Sequence, residues 1–256
     1  MNNVTFKIAC EKIIHAERKQ NGIGTLGEKT LHAVLKHYYE PDESCHEIKI
    51  GSFVADISTT TNEQGFASSP SRQIIEIQTR AFDKLRKKLT YFLESSTVTV
   101  VYPMPKIKWL LWIDAQTGEV TKKRKSPRQG QIHDIIPELY KIKSFLNHPN
   151  FRLHIAFIEL EEYRYLDGWS KDKKKGSTRY DRVPIDLVEV LHIQTIDDYV
   201  MFIPSGLALQ FTSMDYKIAA KVNLQTSQTA LNILHHLGIV TRVGKQGRAY
   251  LYEQVK

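Results

Sequence analysis

Two carboxylates in apolar surroundings are the residues of this chain best placed to do chemistry. Asp56 stands in G-S-F-V-A-D-I (51–57) and Glu76 in R-Q-I-I-E-I-Q-T (72–79), each inside a run with the apolar, β-branched character of a strand. A carboxylate flanked by Ala55 and Ile57, or by Ile75 and Ile77, is partly desolvated, which costs several kcal/mol unless a partner compensates it. Mg²⁺ or Mn²⁺ is such a partner: a hard cation taking carboxylate oxygens while keeping several waters, one of which it makes acidic enough to attack a phosphodiester. Alternation puts Gln78 on the same strand face as Glu76, where its amide can orient a water. The competing reading is a hairpin whose solvent face happens to carry Asp56, Glu76 and Gln78.

The flanking sequence supplies elements to hold this pair. Apolar positions at Leu31, Val34, Leu35 and Tyr38 predict a helix from about Leu26 to Tyr39, stopped by Pro41, with Glu28 in its first turn. From His46 the period becomes two, and three strands follow, with a polar spacer before the third. Phe82, Leu85, Leu89, Phe92 and Leu93 then recur at helical spacing, on a helix whose other face carries Arg80, Lys84, Arg86, Lys87 and Lys88. V-T-V-V-Y-P closes the series as a strand. The order over residues 26–103 is helix, three strands, helix, strand.

An earlier helix is expected over Phe6 to Arg18, and N-G-I-G-T-L-G after it is a turn, since it lacks G-K-[ST] and a preceding strand. Beyond Pro103, W-L-L-W-I-D-A-Q-T-G-E-V-T-K-K-R-K predicts a separate hairpin turning near Thr117-Gly118, and Ile132 to Leu146 predicts one helix. Two strand-like runs, F-R-L-H-I-A-F-I-E-L and V-P-I-D-L-V-E-V-L-H-I, complete a first domain over 1–203. Basic residues cluster at Lys122 to Lys125 with Arg128, and at Lys171 to Lys175 with Arg179.

P-S-G at 204–206 marks a boundary to a second domain, 204–256. Thr212 or Ser213 caps a helix with Tyr216, Ile218, Ala219 and Val222 inward. A second helix starts near Thr226 or Ser227 and ends at Gly238, and I-V-T-R-V-G-K-Q-G-R-A-Y-L-Y-E-Q-V alternates as a hairpin with a cationic tip. This segment resembles a winged helix-turn-helix domain. The resemblance implies DNA contacts from Gln225, Thr226, Ser227, Gln228 and Asn232 on the second helix, and from Arg242, Lys245, Gln246 and Arg248 on the wing.

The first domain, over residues 26–103, is similar to the PD-(D/E)XK nuclease superfamily, in an E-x-Q variant. The expected fold is therefore α/β: a restriction-endonuclease-like mixed sheet flanked by helices, with a small winged-helix domain behind it. The resemblance implies that Asp56 and Glu76 ligate Mg²⁺ or Mn²⁺, joined by the carbonyl of Ile77 and by Glu28. The chain departs from the pattern at Gln78, where lysine is usual. Arg80 or Lys84 could restore the missing positive charge, Arg80 also touching the DNA. The expected activity is metal-dependent endonucleolytic hydrolysis of DNA, with a homodimer one way to cut both strands. The alternative is a catalytically inactive, nuclease-like DNA-binding regulator.

The bulk composition agrees with such a partner. The 256 residues carry a formal net charge of +8, which attracts polyanions, and 41% hydrophobic residues, ordinary for a globular chain. The two cysteines form no C-x-x-C pair, no Cys/His spacing fits zinc, and neither G-x-S-x-G nor an H-N-H motif is present. Without an apolar run of membrane-spanning length or a secretion signal, the chain is expected in the cytoplasm.

Overall fold

The computed structural model describes residues 3–21, 30–61, 71–114, 116–167 and 178–255. It is a mixed α/β structure whose large sheet is flanked by helices. Helices α1 (Asn3–Asn21) and α2 (Thr30–Tyr39) come first, followed by strands β1 (His46–Ile50), β2 (Phe53–Thr61) and β3 (Ser71–Ile77), helix α3 (Arg86–Phe92) and strand β4 (Ser96–Ile113). Short β5 (Arg124–Lys125), helix α4 (Ile136–Lys141), and strands β6 (Phe151–Tyr165) and β7 (Arg179–Ile193) follow. The order helix, three strands, helix, strand is thus realised.

In the sheet the order is β1-β2-β3-β4-β6-β7, with β5 beside β4. β1, β2 and β3 pair antiparallel, β3, β4 and β6 run parallel, and β7 returns antiparallel to β6. A parallel step needs a crossover, and α3 provides it between β3 and β4. One face is covered by α3 and α4, where Phe82, Leu85, Leu89 and Phe92 pack on Ile74, Val98 and Val100. Burying each such side chain contributes about 1.5–3 kcal/mol. The opposite face is covered by α1 and α2, through Phe6, Leu31, Val34 and Leu35 against Ile57, Ile77 and Ile158.

Two expectations need correction. The strand expected to end at Pro103 continues as β4 to Ile113, so the separate hairpin becomes its far end paired with short β5. Prolines lack a ladder donor, and here the chain accommodates them with a register shift between Pro105 and Ile107. The single helix over 132–146 breaks into a 3-10 turn at Ile132–Ile135, α4, and another turn at Lys143–Phe145. Pro137 lies in the first turn of α4, where its missing N–H is harmless, but it cannot continue a preceding helix.

The C-terminal segment consists of β8 (Gln210–Phe211), α5 (Ser213–Ala220), α6 (Leu224–His236), β9 (Val240–Gln246) and β10 (Ala249–Gln254), with strand order β8-β10-β9. Thr212 caps α5 in a reciprocal box with Asp215, whereas Asn223, not Thr226 or Ser227, caps α6. Tyr216 is buried as expected, but Ile218, also expected inward, is 68% exposed, and Ala220 is buried instead. Phe211, Tyr216, Leu231 and Leu234 belong to the same hydrophobic cluster as Leu139 and Ile142, so the core is continuous with that of the large sheet. Among the described residues no helix is long and apolar enough to cross a membrane.

Candidate active site

The carboxylates meet where β2 and β3 part. Their ladder runs from Thr61–Ser71 to Ile57–Ile75 and stops there, so the next residues of each strand are released from cross-strand pairing. The freed Ile77 N–H donates to Asp56 Oδ2 at 2.7 Å. On the same oxygen, His32 Nε2 from α2 sits at 3.2 Å. Both hydrogen bonds to Asp56 fall on Oδ2, leaving Oδ1 without a protein donor among the described residues. Burial by itself would raise the Asp56 carboxyl, but the hydrogen bond and charge of His32, with the Ile77 N–H, hold it below its ordinary value.

Glu76 is more deeply enclosed, with its side chain 3% exposed. Its Oε2 accepts from Lys88 Nζ of α3 at 2.8 Å, while Oε1 is buried with no hydrogen-bond partner among the described residues. Burial first, and the charge of Asp56 second, push the Glu76 carboxyl up to about 7 against the pull of Lys88. Two neighbouring acids therefore have environments that drive them apart, a pattern that clusters at functional sites.

Asp56 opens onto a cleft of about 900 Å³, whose walls include His32 and Lys36 of α2, Gln78 and Arg80 after β3, and Arg179 and Arg182 of β7. Gln78 Nε2 donates to the Arg80 carbonyl at 2.5 Å, which fixes the amide and leaves its oxygen as an acceptor. Ala81 then adopts a left-handed conformation (φ 59°), costing an L-residue about 1–2 kcal/mol, and the next residue, Phe82, is fully buried.

The pair fits a hard divalent cation. A buried carboxylate oxygen without a donor (Glu76 Oε1) and a second donor-free oxygen on Asp56 supply the hard oxygen chemistry such an ion prefers. In a strand the N–H and C=O of one residue point to the same neighbour, so the Ile77 carbonyl faces the same opening as its N–H. Among the described residues no group of three or more His, Cys, Asp or Glu converges as a metal cluster. Glu28 lies outside the described residues, as do Lys171 to Lys175.

Of the two cations expected to replace the usual lysine, Arg80 lines the cleft, but Lys84 is exposed and does not. Lys88, one helical turn further on, takes the place beside Glu76. Helical spacing explains the difference: α3 starts only at Arg86, after a 3-10 turn over Phe82–Leu85, so the phase extrapolated from Arg80 is wrong. His32 and Lys36 were also missed, although their i, i+4 spacing puts them on one helix face. The first basic cluster is engaged locally, with Lys123 Nζ 5.1 Å from the Trp109 ring centre and 3.5 Å from Glu161.

The residues expected on DNA divide into two groups. Gln225 and Gln228 are exposed on α6, Thr226 is half-buried, and Arg242, Lys245 and Arg248 are exposed on the hairpin. Gln228, Arg242, Arg248 and Tyr250 line a groove of about 520 Å³, and the Arg242 guanidinium lies 4.2 Å from the Tyr250 ring centre. Ser227 does not belong with them: it is fully buried and its hydroxyl donates to the Ser213 carbonyl, pinning α6 to α5. Asn232 lines the same groove, but its Oδ1 accepts from Lys143 Nζ at 2.9 Å, fastening α6 to the large sheet's helical layer.

Comparison with known proteins places the sequence that builds this site in a family. An uncharacterized protein of Treponema pallidum (strain Nichols) is 27% identical over 238 residues, covering 91% of this chain and 87% of the relative. No solved structure matches. Residues 29–194 match a family described as a domain of unknown function, a span that holds Asp56, Glu76, Lys88 and both β7 arginines and ends before α5. The chain belongs to this DUF8091 family.

Proposed function

We propose that the chain is a divalent-metal-dependent DNA endonuclease of the PD-(D/E)XK type, brought to duplex DNA by a C-terminal winged helix-turn-helix unit. The observation that carries the reading is a pair of neighbouring carboxylates on two diverging strands, the buried Glu76 and the cleft-lining Asp56, whose Oε1 and Oδ1 have no protein donor among the described residues. Support comes from the elements around it. The helix, three-strand, helix, strand order is built as β1-β2-β3-β4 with α3 crossing between β3 and β4, an order that supports the reading of a restriction-endonuclease-like core. Helices α5 and α6 followed by the β9–β10 hairpin support the winged-helix reading by their order.

Asp56 and Glu76 would hold Mg²⁺ or Mn²⁺ with the Ile77 carbonyl, and Glu28 is a further candidate ligand. When bound, such an ion supplies an acidified water and stabilises charge on the phosphate. The protein's own groups do the rest. His32 fixes the Asp56 carboxylate in orientation, as a hydrogen-bonded partner of a ligand does. Gln78, held by the Arg80 carbonyl, offers its side-chain oxygen to orient a water. Lys88 keeps Glu76 ionisable near neutral pH and brings in the positive charge that Gln78 lacks. Arg80 faces the phosphate across the cleft.

Calorimetric titration with Mn²⁺ tests the site apart from turnover. The wild-type chain should bind the ion and Glu76→Ala should not, with both folded by circular dichroism. A folded wild-type chain that takes up no Mn²⁺ is an inactive regulator, not an enzyme of this class.

A further inference from the structure

One carboxylate outside the catalytic pair has far more cationic company than its burial requires. Glu162 on β6 is fully buried. Its Oε1 accepts from Arg164 through both Nε and Nη2, and its Oε2 accepts from Arg182 Nε at 3.0 Å. Arg179 Nε stands 3.5 Å and Lys108 Nζ 3.8 Å from the same Oε2. Four cations thus surround one anion. The crowding is unfavourable in itself: burial lowers the Arg179 pKa first, and the neighbouring Arg182 lowers it further. Arg164 on Oε1 and Arg182 on Oε2 already supply a guanidinium to each oxygen, so Arg179 and Lys108 add positive charge beyond what this single anion neutralises.

The geometry shows where the surplus is directed. Arg164 engages Glu162 through two nitrogens, but Arg182 makes its one hydrogen bond through Nε, and Arg179 approaches through Nε alone. Both residues line the cleft, and among the described residues nothing else hydrogen-bonds or ion-pairs with their guanidiniums. Arg80 stands on the same cleft and makes no side-chain hydrogen bond or ion pair among the described residues. Lys36, also on this wall, is matched by Glu47 at 2.7 Å. Three guanidiniums, planar forks shaped to grip phosphate in two places, therefore converge beside Asp56 and Gln78.

We propose that Arg179 and Arg182 of β7, with Arg80, form a phosphate clamp that seats a backbone phosphodiester of the DNA strand beside the carboxylate pair. Glu162 is the positioning residue that aims the two β7 guanidiniums through their Nε atoms. The identity of the ligand rests on the nuclease reading above. The clamp itself rests on Arg80, Arg179 and Arg182 lining one cleft, a cluster of guanidiniums that attracts a polyanion even with Glu47, Asp56 and Asp181 on the same wall. It also separates the two DNA contacts of the chain: α6 and its hairpin hold duplex at one place, while the clamp holds the strand where it is cut.

The test uses the full chain in EDTA, so that no turnover occurs, with a short fluorescein-labelled DNA duplex and anisotropy read across a KCl series. Arg80→Gln and Arg179→Gln should each weaken binding on the order of tenfold and reduce the slope of log affinity against log salt by about 0.9, as expected for one lost phosphate contact. Arg179→Lys should keep the slope while losing part of the affinity. Glu162→Gln, with every arginine present, should also weaken binding. Should that buried substitution unfold the chain, exposed Arg80 and the Arg179→Lys variant still decide the matter. Unchanged affinity and slope in folded Arg80→Gln and Arg179→Gln, alongside normal Mg²⁺-dependent cutting by wild type, would overturn the clamp. Weakened binding in both, with wild type unable to cut DNA, upholds the clamp and overturns the nuclease reading instead.

Discussion

Lys88 Nζ lies 2.8 Å from Glu76 Oε2, so the cation nearest the buried acid comes from the crossover helix and not from the strand that carries the motif. The strand position where lysine is usual holds Gln78, whose amide is tied to the Arg80 carbonyl. On the proposed nuclease reading, charge and water-orienting capacity, one residue's work in the usual pattern, would be divided between two residues on two elements. Lys88→Met should therefore lower DNA cleavage on the order of a hundredfold, the scale of removing one electrostatic donor from a reacting centre. Lys84→Met, on the exposed neighbouring turn, should leave it within a few-fold. Equal losses in single-turnover rates of the two variants would contradict this assignment.

The raised Glu76 carboxyl makes stability depend on pH in a definite direction. Its pKa is about 7 in the folded chain against an ordinary 4.5, so the folded state holds its proton more tightly than the unfolded state. The contribution is fully present below about 4.5 and is lost as pH rises through about 7. In EDTA, the Glu76 contribution should make the Tm of wild type fall over that window relative to Glu76→Gln. Mn²⁺ should restore stability at the alkaline end of the window, because an ion that binds only the folded chain stabilises it. Parallel Tm profiles for the two proteins would show that Glu76 does not titrate there.

His32 orients Asp56 from α2. Its removal should weaken Mn²⁺ affinity or cleavage about 10- to 100-fold, as for other residues that hold a ligand in place. His32→Asn, which retains a donor, should recover part of the loss, and calorimetry with Mn²⁺ measures both.

On α6, two adjacent residues expected to touch DNA should behave differently. Ser227→Ala removes a buried hydrogen bond to the Ser213 carbonyl and should destabilise the chain by about 1 kcal/mol, seen in urea melts, with unchanged DNA affinity. Gln228→Ala should leave the melt unchanged and weaken DNA binding, since Gln228 is exposed on the groove shared with Arg242 and Arg248.

The legible parts of the sequence were those governed by short-range periodicity. Alternation around Ile48, Ile57 and Ile75 marked β1 to β3, and helical spacing of Leu31, Val34 and Leu35 marked α2, because each pattern states which face is buried. The same logic singled out Asp56 and Glu76, polar residues in apolar runs. What it could not show was pairing at a distance. Lys88 reaches Glu76 only because a 3-10 turn rephases the helix, and Arg179 and Arg182 reach the cleft only because β7 returns beside β6, more than a hundred residues after Asp56. Pro103 argued locally for a strand end, and the long β6 partner overrode it.

Plasmid cleavage tests the central claim most directly. Supercoiled DNA incubated with the wild-type chain and Mg²⁺ or Mn²⁺ should be nicked or linearised, EDTA should stop the reaction, and folded Asp56→Ala and Glu76→Ala should each abolish it. Cleavage that survives in both variants, or a folded wild-type chain that cuts with neither ion, would contradict the account.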